Sequence, residues 1–185
     1  GLLDLVALGT VADVVPLDAN NRILVAQGLA RLQKGAGCAG LSALFSVATQ
    51  NRRLIEDIGV KDLGFTLAPR INAAGRIATM DIGIDCLMAE PGEAIGYAKR
   101  LESINQQRKD LELVMQSEAL ELLGGLDLEG RMSAVLYHDG WHQGLVGLVS
   151  SRIKERINRP VIAFADVGGG YLRGSGRSVE GVHLR

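Results

Sequence analysis

The chain has 185 residues, 47% hydrophobic and 22% charged, the composition of a folded globular protein with material for one large domain or two small ones. A net charge of −1 argues against a protein that coats nucleic acid by bulk electrostatics. No apolar run reaches the roughly 18 residues of a bilayer span, and no signal-peptide plan opens the chain, so the expected location is cytoplasmic, with no membrane contact.

The charge is unevenly spread. Residues 131–185 hold eight Lys or Arg against four Asp or Glu, +4, and residues 91–130 hold four against eight, −4. A polyanion is therefore expected at the basic C-terminal end. Cys38 and Cys86 make no CxxC pair and no metal-ligand cluster, and read as ordinary buried or half-buried thiols.

In chain order, "LVALGTVADVVPL" (5–17) is apolar almost throughout, with one carboxylate, Asp13. Burying a carboxylate costs several kcal/mol unless it is paired or bound to a cation. Asp13 is thus either a helix cap or ion-pair partner, for example of Arg22, or a metal ligand. No DxD, HxH or HxxxH cluster supplies companion ligands within the 185 residues.

"DANNRILVAQGLARLQKG" predicts a helix capped by Asp18 or Asn20, apolar at Ile23, Leu24, Leu29 and Leu32 and ended by Gly35. "GLSALFSVA" predicts a shorter one. In "APRINAAGR", Arg70 and Arg76 flank Asn72 and small residues; the forks either project toward phosphate oxygens or are solvated in a loop. The longest expected element is a helix from about 91 to 123, roughly 50 Å. Its seam, Tyr97, Leu101, Ile104, Arg108, Leu111, Met115, Glu118 and Leu122, is narrow and twice charged, which suits a helix joining two lobes better than an autonomous coiled coil.

Beyond it, "MSAVLYH", "QGLVGLVSSRIKERIN", "PVIAFA" and "YLRGSGRS" read as strand, helix, strand and a third strand ending in a Gly-rich turn, with the first two strands parallel. The fold class is therefore α/β: a mainly helical lobe at 1–88 and an α/β lobe from about 130. Within "RGSGRS", backbone N–H groups beside the glycines, Ser175, Ser178 and Arg177 make either an anion nest or a simple hairpin turn. In "YHDGWHQGLVG", His138, Trp141 and His142 stand at a helix start, where they either help hold an anion or cap and pack the loop. No Ser-His-Asp order is visible.

Five stretches in order, "LDLVALGTVADVVPLDANNRILVAQGL", "LGFTLAPRINAAGR", "LESINQQRKDLELVMQSEA", "YHDGWHQGLVGLVSSRIKERINRPVIAFA" and "GSGRSVEGVHLR", resemble the bacterial single-stranded-DNA-specific exonucleases of the DHH/DHHA1 phosphoesterase superfamily. The resemblance covers nearly the whole chain. It implies 5′-to-3′ hydrolysis of single-stranded DNA in recombination and repair, with two divalent ions, Mn²⁺ or Mg²⁺. It further implies Asp13 as a metal ligand and catalytic residue. Arg70, Asn72 and Arg76 are implied to face the DNA backbone, with His142, Ser175, Gly176 and Arg177 as substrate contacts; Ser175 and Arg177 would hold the 5′ phosphate. Single-stranded-DNA-binding protein and a helicase are the implied partners.

By the same pattern, 1–88 is the C-terminal part of a DHH domain, 89–125 a connector helix and 126–185 the N-terminal part of a DHHA1 domain. The other DHH motifs are expected upstream of Gly1 and the "GGH" motif downstream of Arg185. Such a central piece is expected to lack nuclease activity and bound metal, leaving Asp13 unpaired and more exposed than its neighbours suggest. Two alternatives stay open: a phosphodiesterase of short oligonucleotides or cyclic dinucleotides, and a non-catalytic DNA-binding relative.

Overall fold

The structure is a computed structural model describing residues 2–184. The chain divides into two compact units, one up to Gln106 and one from Gln107 onward.

The first unit is helical throughout. Helix α1 (Leu3–Ala12) forms in the apolar stretch that carries Asp13 and buries Asp4, Ala7 and Leu8 at helical spacing. Helix α2 (Ala19–Gln33) starts as expected: Asp18 Oδ1 accepts the Asn21 N–H at 2.8 Å. Its buried face is Val25, Gly28 and Leu32, whereas Ile23, an expected core position, is 60% exposed. Gly28 explains the rotation. A Cβ there would lie 2.1 Å from the Leu3 carbonyl oxygen and 2.5 Å from Ala7 Cβ, so α1 and α2 touch backbone to backbone at that point.

Helix α3 (Ala39–Ala48) follows, then a single 3-10 turn at Ile55–Asp57. Around this turn Arg53 works as a staple. Its Nη1 and Nη2 donate to Asp62 Oδ1 and Oδ2 at 2.7 and 3.0 Å, Nη2 also donates to Asp57 O at 2.6 Å, and the guanidinium lies 5.0 Å over the Phe45 ring. Asp62 additionally accepts the Gly59 N–H at 2.8 Å and the Thr66 hydroxyl at 3.2 Å.

From Val60 to Ile77 the chain is helical but changes pitch: a short α4 (Val60–Asp62), a π-helical stretch at Leu63–Leu67, and α5 (Ala68–Ile77). Pro69 gives the reason. A proline ring clashes with the carbonyl four residues back and offers no N–H, and widening the preceding turn, so that the Ala68 N–H reaches Leu63 O, relieves the conflict. "APRINAAGR" is therefore helix, not loop. Helix α6 (Asp81–Met88) and the first half of α7 (Pro91–Gly124) complete the unit. Leu32, Leu41, Leu44, Phe45, Leu63, Leu67 and Leu101, all at most 1% exposed, form its centre.

The long helix matches its expected span within a residue and keeps most of its expected seam. Ala94, Ala98, Leu101 and Ile104 are buried in the first unit, and Met115 and Ala119 in the second; Leu111 and Leu122 are exposed. Of the other expected positions Tyr97, Arg108 and Glu118 are half-buried, and the alanines at 94, 98 and 119 add places where the helix packs closely. Between these patches Arg108 pairs with Glu112 one turn on.

The second unit is α/β. Strands β1 (Ala134–His138) and β2 (Val161–Asp166) are parallel, joined by helix α8 (Val146–Ile157), and β3 (Leu172–Arg177) is antiparallel to β2, in sheet order β1-β2-β3. Helix α8 begins three residues later than expected and buries Val146, Val149, Ser150 and Ile153 against the sheet. Its C-terminal Asn158 takes a left-handed φ of 48°. No helix among the described residues is long and apolar enough to cross a membrane.

Candidate functional site

In the first unit, Asp13 stands just past the last residue of α1, and the helix closes in a Schellman turn: Val15 N–H reaches Thr10 O at 3.1 Å and Val14 N–H reaches Val11 O at 3.2 Å. The left-handed position of that turn, normally glycine, is Val14 at φ 53°. Helices α2 and α3 end in the same way, with Gly35 and Gln50 at the equivalent position. A β-branched residue is the least suited of the three, because its Cβ crowds the backbone in this region.

The buried carboxylate of α1 is Asp4, not Asp13. Asp4 is 3% exposed and its Oδ2 accepts the Cys38 N–H at 2.6 Å, capping the start of α3. Spacing with Ala7 and Leu8 on one helical face was the available signal. Asp13 is exposed, as the family resemblance implied and as the apolar surroundings did not. The ion pair with Arg22 does not form, since Arg22 Nε donates to Leu17 O at 2.8 Å. Asp13 therefore sits at the negative end of a helix dipole with no cation beside it among the described residues, an arrangement that costs a few tenths of a kcal/mol to about 1 kcal/mol.

Helix α5 brings Asn72 to the same place. Asp13 and Asn72 line a cleft of about 240 Å³ together with Gly9, Ala12 and Ala68. Arg76, in the last turn of α5, is exposed. Arg70 is not a projecting fork: it is 9% exposed, its Nε donates to Glu102 of α7, and its Nη1 donates to Thr66 O at 2.6 Å in the π-helical stretch. Glu102 was missed because nothing in the sequence ties residues 32 apart. Among the described residues no group of three His, Cys, Asp or Glu converges, at Asp13 or elsewhere.

In the second unit, the Gly-rich stretch forms neither nest nor turn. Residues 172–177 are strand β3, and alternation turns Arg173, Ser175 and Arg177 to one face and Gly174 and Gly176 to the other. The glycines serve packing. A Cβ on Gly174 would lie 2.4 Å from the Phe164 ring, and one on Gly176 2.9 Å from Leu184 Cδ1. Arg177 Nη1 donates to Ser175 Oγ at 3.3 Å and to Gly176 O at 2.9 Å. Gly147 in the first turn of α8 makes room for both side chains: its Cβ would meet Ser175 Oγ at 3.0 Å and Arg177 Nη2 at 3.1 Å. The hydroxyl, the guanidinium and the start of α8 thus converge, which is an arrangement able to hold an anion. Ser150 ties helix to strand, its Oγ lying 2.6 Å from Val146 O and 2.9 Å from Ser175 O.

His142 is half-buried, and its Nδ1 accepts the Gly144 N–H at 3.1 Å, which shapes the loop before α8. Trp141 is 3% exposed and donates from Nε1 to Glu118 Oε2 of α7 at 2.9 Å, with His138 stacked 6.0 Å from it. These two rings anchor the loop, the packing alternative of the two that the sequence left open.

Residues 131–185 match the DHHA1 domain model. The chain is 52% identical over 190 residues to the single-stranded-DNA-specific exonuclease RecJ of Escherichia coli, covering 100% of this chain and 32% of that protein. It is 36% identical to the RecJ of Bacillus subtilis, covering 99% of this chain and 23% of that one. Among solved structures it resembles RecJ in complex with Mg²⁺ from Thermus thermophilus at a TM-score of 0.80 and 33% identity, over 97% of this chain and 27% of that one. It also resembles exonuclease RecJ bound to manganese at a TM-score of 0.78 and 33% identity, over 97% of this chain and 43% of that one. The chain spans about a third of the length of the Escherichia coli relative.

Proposed function

We propose, from the premise that this chain is homologous over its whole length to a segment of RecJ, that it is the central part of a metal-dependent exonuclease that degrades single-stranded DNA from the 5′ end. The observation that carries the reading is Asp13. An exposed carboxylate at a helix C-terminus, with no cation beside it and a valine in the left-handed position next to it, is unfavourable for the fold and useful for a cation.

In the longer protein Asp13 serves as one ligand of a site for Mn²⁺ or Mg²⁺, whose other ligands lie outside this chain. Such ions offset the charge that develops on a scissile phosphate. Asn72 and Arg76 face the DNA backbone beside it. Arg70 supports them from within, since its contacts with Glu102 and Thr66 O lock α5. His142 shapes the loop that leads into α8, and Ser175 and Arg177, with Gly176 between them, hold the 5′ phosphate, which sets polarity. The connector is α7, and the domain division at 88 and 125 belongs to this same reading. Roles in recombination and repair in the cytoplasm, with single-stranded-DNA-binding protein and a helicase as partners, follow from the resemblance.

The test is a pair of digestions with Mn²⁺ and 5′-phosphorylated single-stranded DNA. The 185-residue chain is expected to be inactive, and the full-length protein to be active and to lose activity in Asp13→Ala while keeping its binding to 5′-phosphorylated strands. Digestion by the isolated chain that disappears in Asp13→Ala would overturn the division of labour. Full activity of the Asp13→Ala full-length protein would overturn the role of Asp13.

A further inference from the structure

Four of the arginines in the two units are paired with carboxylates: Arg53 with Asp62, Arg70 with Glu102, Arg108 with Glu112 and Arg152 with Glu155. Arg173 is different. Its Nη1 donates to a neutral amide, Gln143 Oε1, at 2.9 Å, and among the described residues no carboxylate lies within ion-pair distance of it. A guanidinium held in place by a neutral acceptor keeps its full charge available to an anion.

Its position follows from the register of the sheet. Arg173, Ser175 and Arg177 stand opposite Ala165, Ala163 and Val161 of β2, all fully buried. Directly paired residues share a face, so the three polar side chains rise on the face that packs α8. Arg173 lies at the carboxyl edge of the parallel strands β1 and β2, where the loop bearing Gln143 leads into the helix; this edge is where ligands of parallel α/β units bind. Four residues along a strand separate the Cα atoms of Arg173 and Arg177 by about 13 Å. Their guanidinium groups are also tied to different anchors, Arg177 to Ser175 Oγ and Gly176 O, Arg173 to Gln143. Each fork thus has its own anchor, and the two do not share an acceptor. Gln143, accepting through Oε1, keeps its amide N–H groups as further donors.

We propose that Arg173, positioned by Gln143, binds a second backbone phosphate, one nucleotide in from the terminal phosphate held at Ser175 and Arg177. This deepens the reading above and rests on its placement of the terminal phosphate. The second unit then recognises a two-phosphate step of a single strand and not an isolated phosphate. The glycines at 174 and 176 contribute by letting the other face of β3 close on Phe164 and Ile162, which fixes the strand from behind.

Titration of the 185-residue chain with 5′-thymidine monophosphate, with 5′-phosphorylated dithymidylate and with unphosphorylated dithymidylate tests this. Wild type is expected to bind the phosphorylated dinucleotide about tenfold more tightly than the mononucleotide, the effect of one added charge-assisted contact. Arg173→Ala and Gln143→Ala should bring that ratio to about one and leave mononucleotide affinity within twofold; both residues are exposed, so the fold should persist, as circular dichroism would verify. Equal weakening toward both phosphorylated ligands would place Arg173 in the terminal-phosphate site, and an unchanged ratio would remove it from binding; either result overturns the proposal alone. Wild type that ignores the 5′ phosphate altogether would overturn the terminal-phosphate reading, and this inference with it.

Discussion

The two candidate regions hold polar side chains by different means. In the first unit each group sits on or beyond a helix, and the fold decides whether it meets solvent: Asp13 is pushed past the end of α1, while Arg70 is drawn inside to Glu102. In the second unit a strand does the sorting, and its two-residue period puts three polar side chains on one face whatever lies around them. Helix-borne sites therefore depend on distant partners, whereas the strand-borne site depends mainly on the register of β3 against β2.

That contrast can be broken by filling glycines. In the helical unit the obstacle at Gly28 is backbone, so Gly28→Ala should destabilise by about 3 kcal/mol in urea unfolding, despite the better helix propensity of alanine. In the sheet the obstacle at Gly174 is the Phe164 ring, which can turn, so Gly174→Ala should cost about 1 kcal/mol. Equal losses would mean that the two units tolerate strain alike.

Removing Glu102 tests dependence on a distant partner. Glu102→Ala leaves the Arg70 guanidinium buried without its carboxylate and should cost about 2 kcal/mol, whereas Glu102→Gln, which keeps an acceptor, should cost less than half of that. A loss the same in both variants would assign the effect to charge alone.

A smaller effect sharpens the comparison of helix ends. Val14→Gly should raise stability by about 1 kcal/mol through relief of the left-handed valine, and Gly35→Ala, at the equivalent position of α2, should lower it by a similar amount. If Val14→Gly also weakens single-stranded DNA cleavage by the full-length protein, the strain belongs to the site and not only to the turn.

The last prediction is read at acid pH and concerns Asp62. Burial pushes its carboxyl up, but the Arg53 guanidinium, the Gly59 N–H and the Thr66 hydroxyl together outweigh burial, and the net shift is below the ordinary value of 3.8. The group is ionised more readily folded than unfolded, so its contribution is complete above about pH 4 and is lost as pH falls through the folded value below 3.8. Thermal melts should show Asp62→Asn flattening this acid limb; an unaltered acid limb would mean that other carboxylates carry it.

Local rules read well wherever one element was enough to settle the matter. Asp18 as a cap, the 34-residue helix between Pro91 and Gly124, and the parallel strands around α8 are each encoded in a cap, a breaker-free run or a period, and each is present within a few residues of its expected place. Small residues beside the arginines left a loop open at "APRINAAGR"; the chain is helix there, and the wider turn before it accommodates Pro69. The candidate site was legible as a set of residue types and a family resemblance. Glu102, Gln143 and Gly147 were not legible, because their importance lies in what they touch across 28 to 32 residues of chain.

Periodicity and capping chemistry were enough for fold class and for the limits of α2, α3 and α7, since these depend on neighbours within about four residues. Packing decided which carboxylate of α1 is buried and which arginines keep their charge uncompensated. Asp4 and Asp13 look alike as letters; Asp4 faces the Cys38 N–H and Asp13 faces water because of where α1 ends against α2, and burial and pairing are properties of surroundings that only the folded chain assembles.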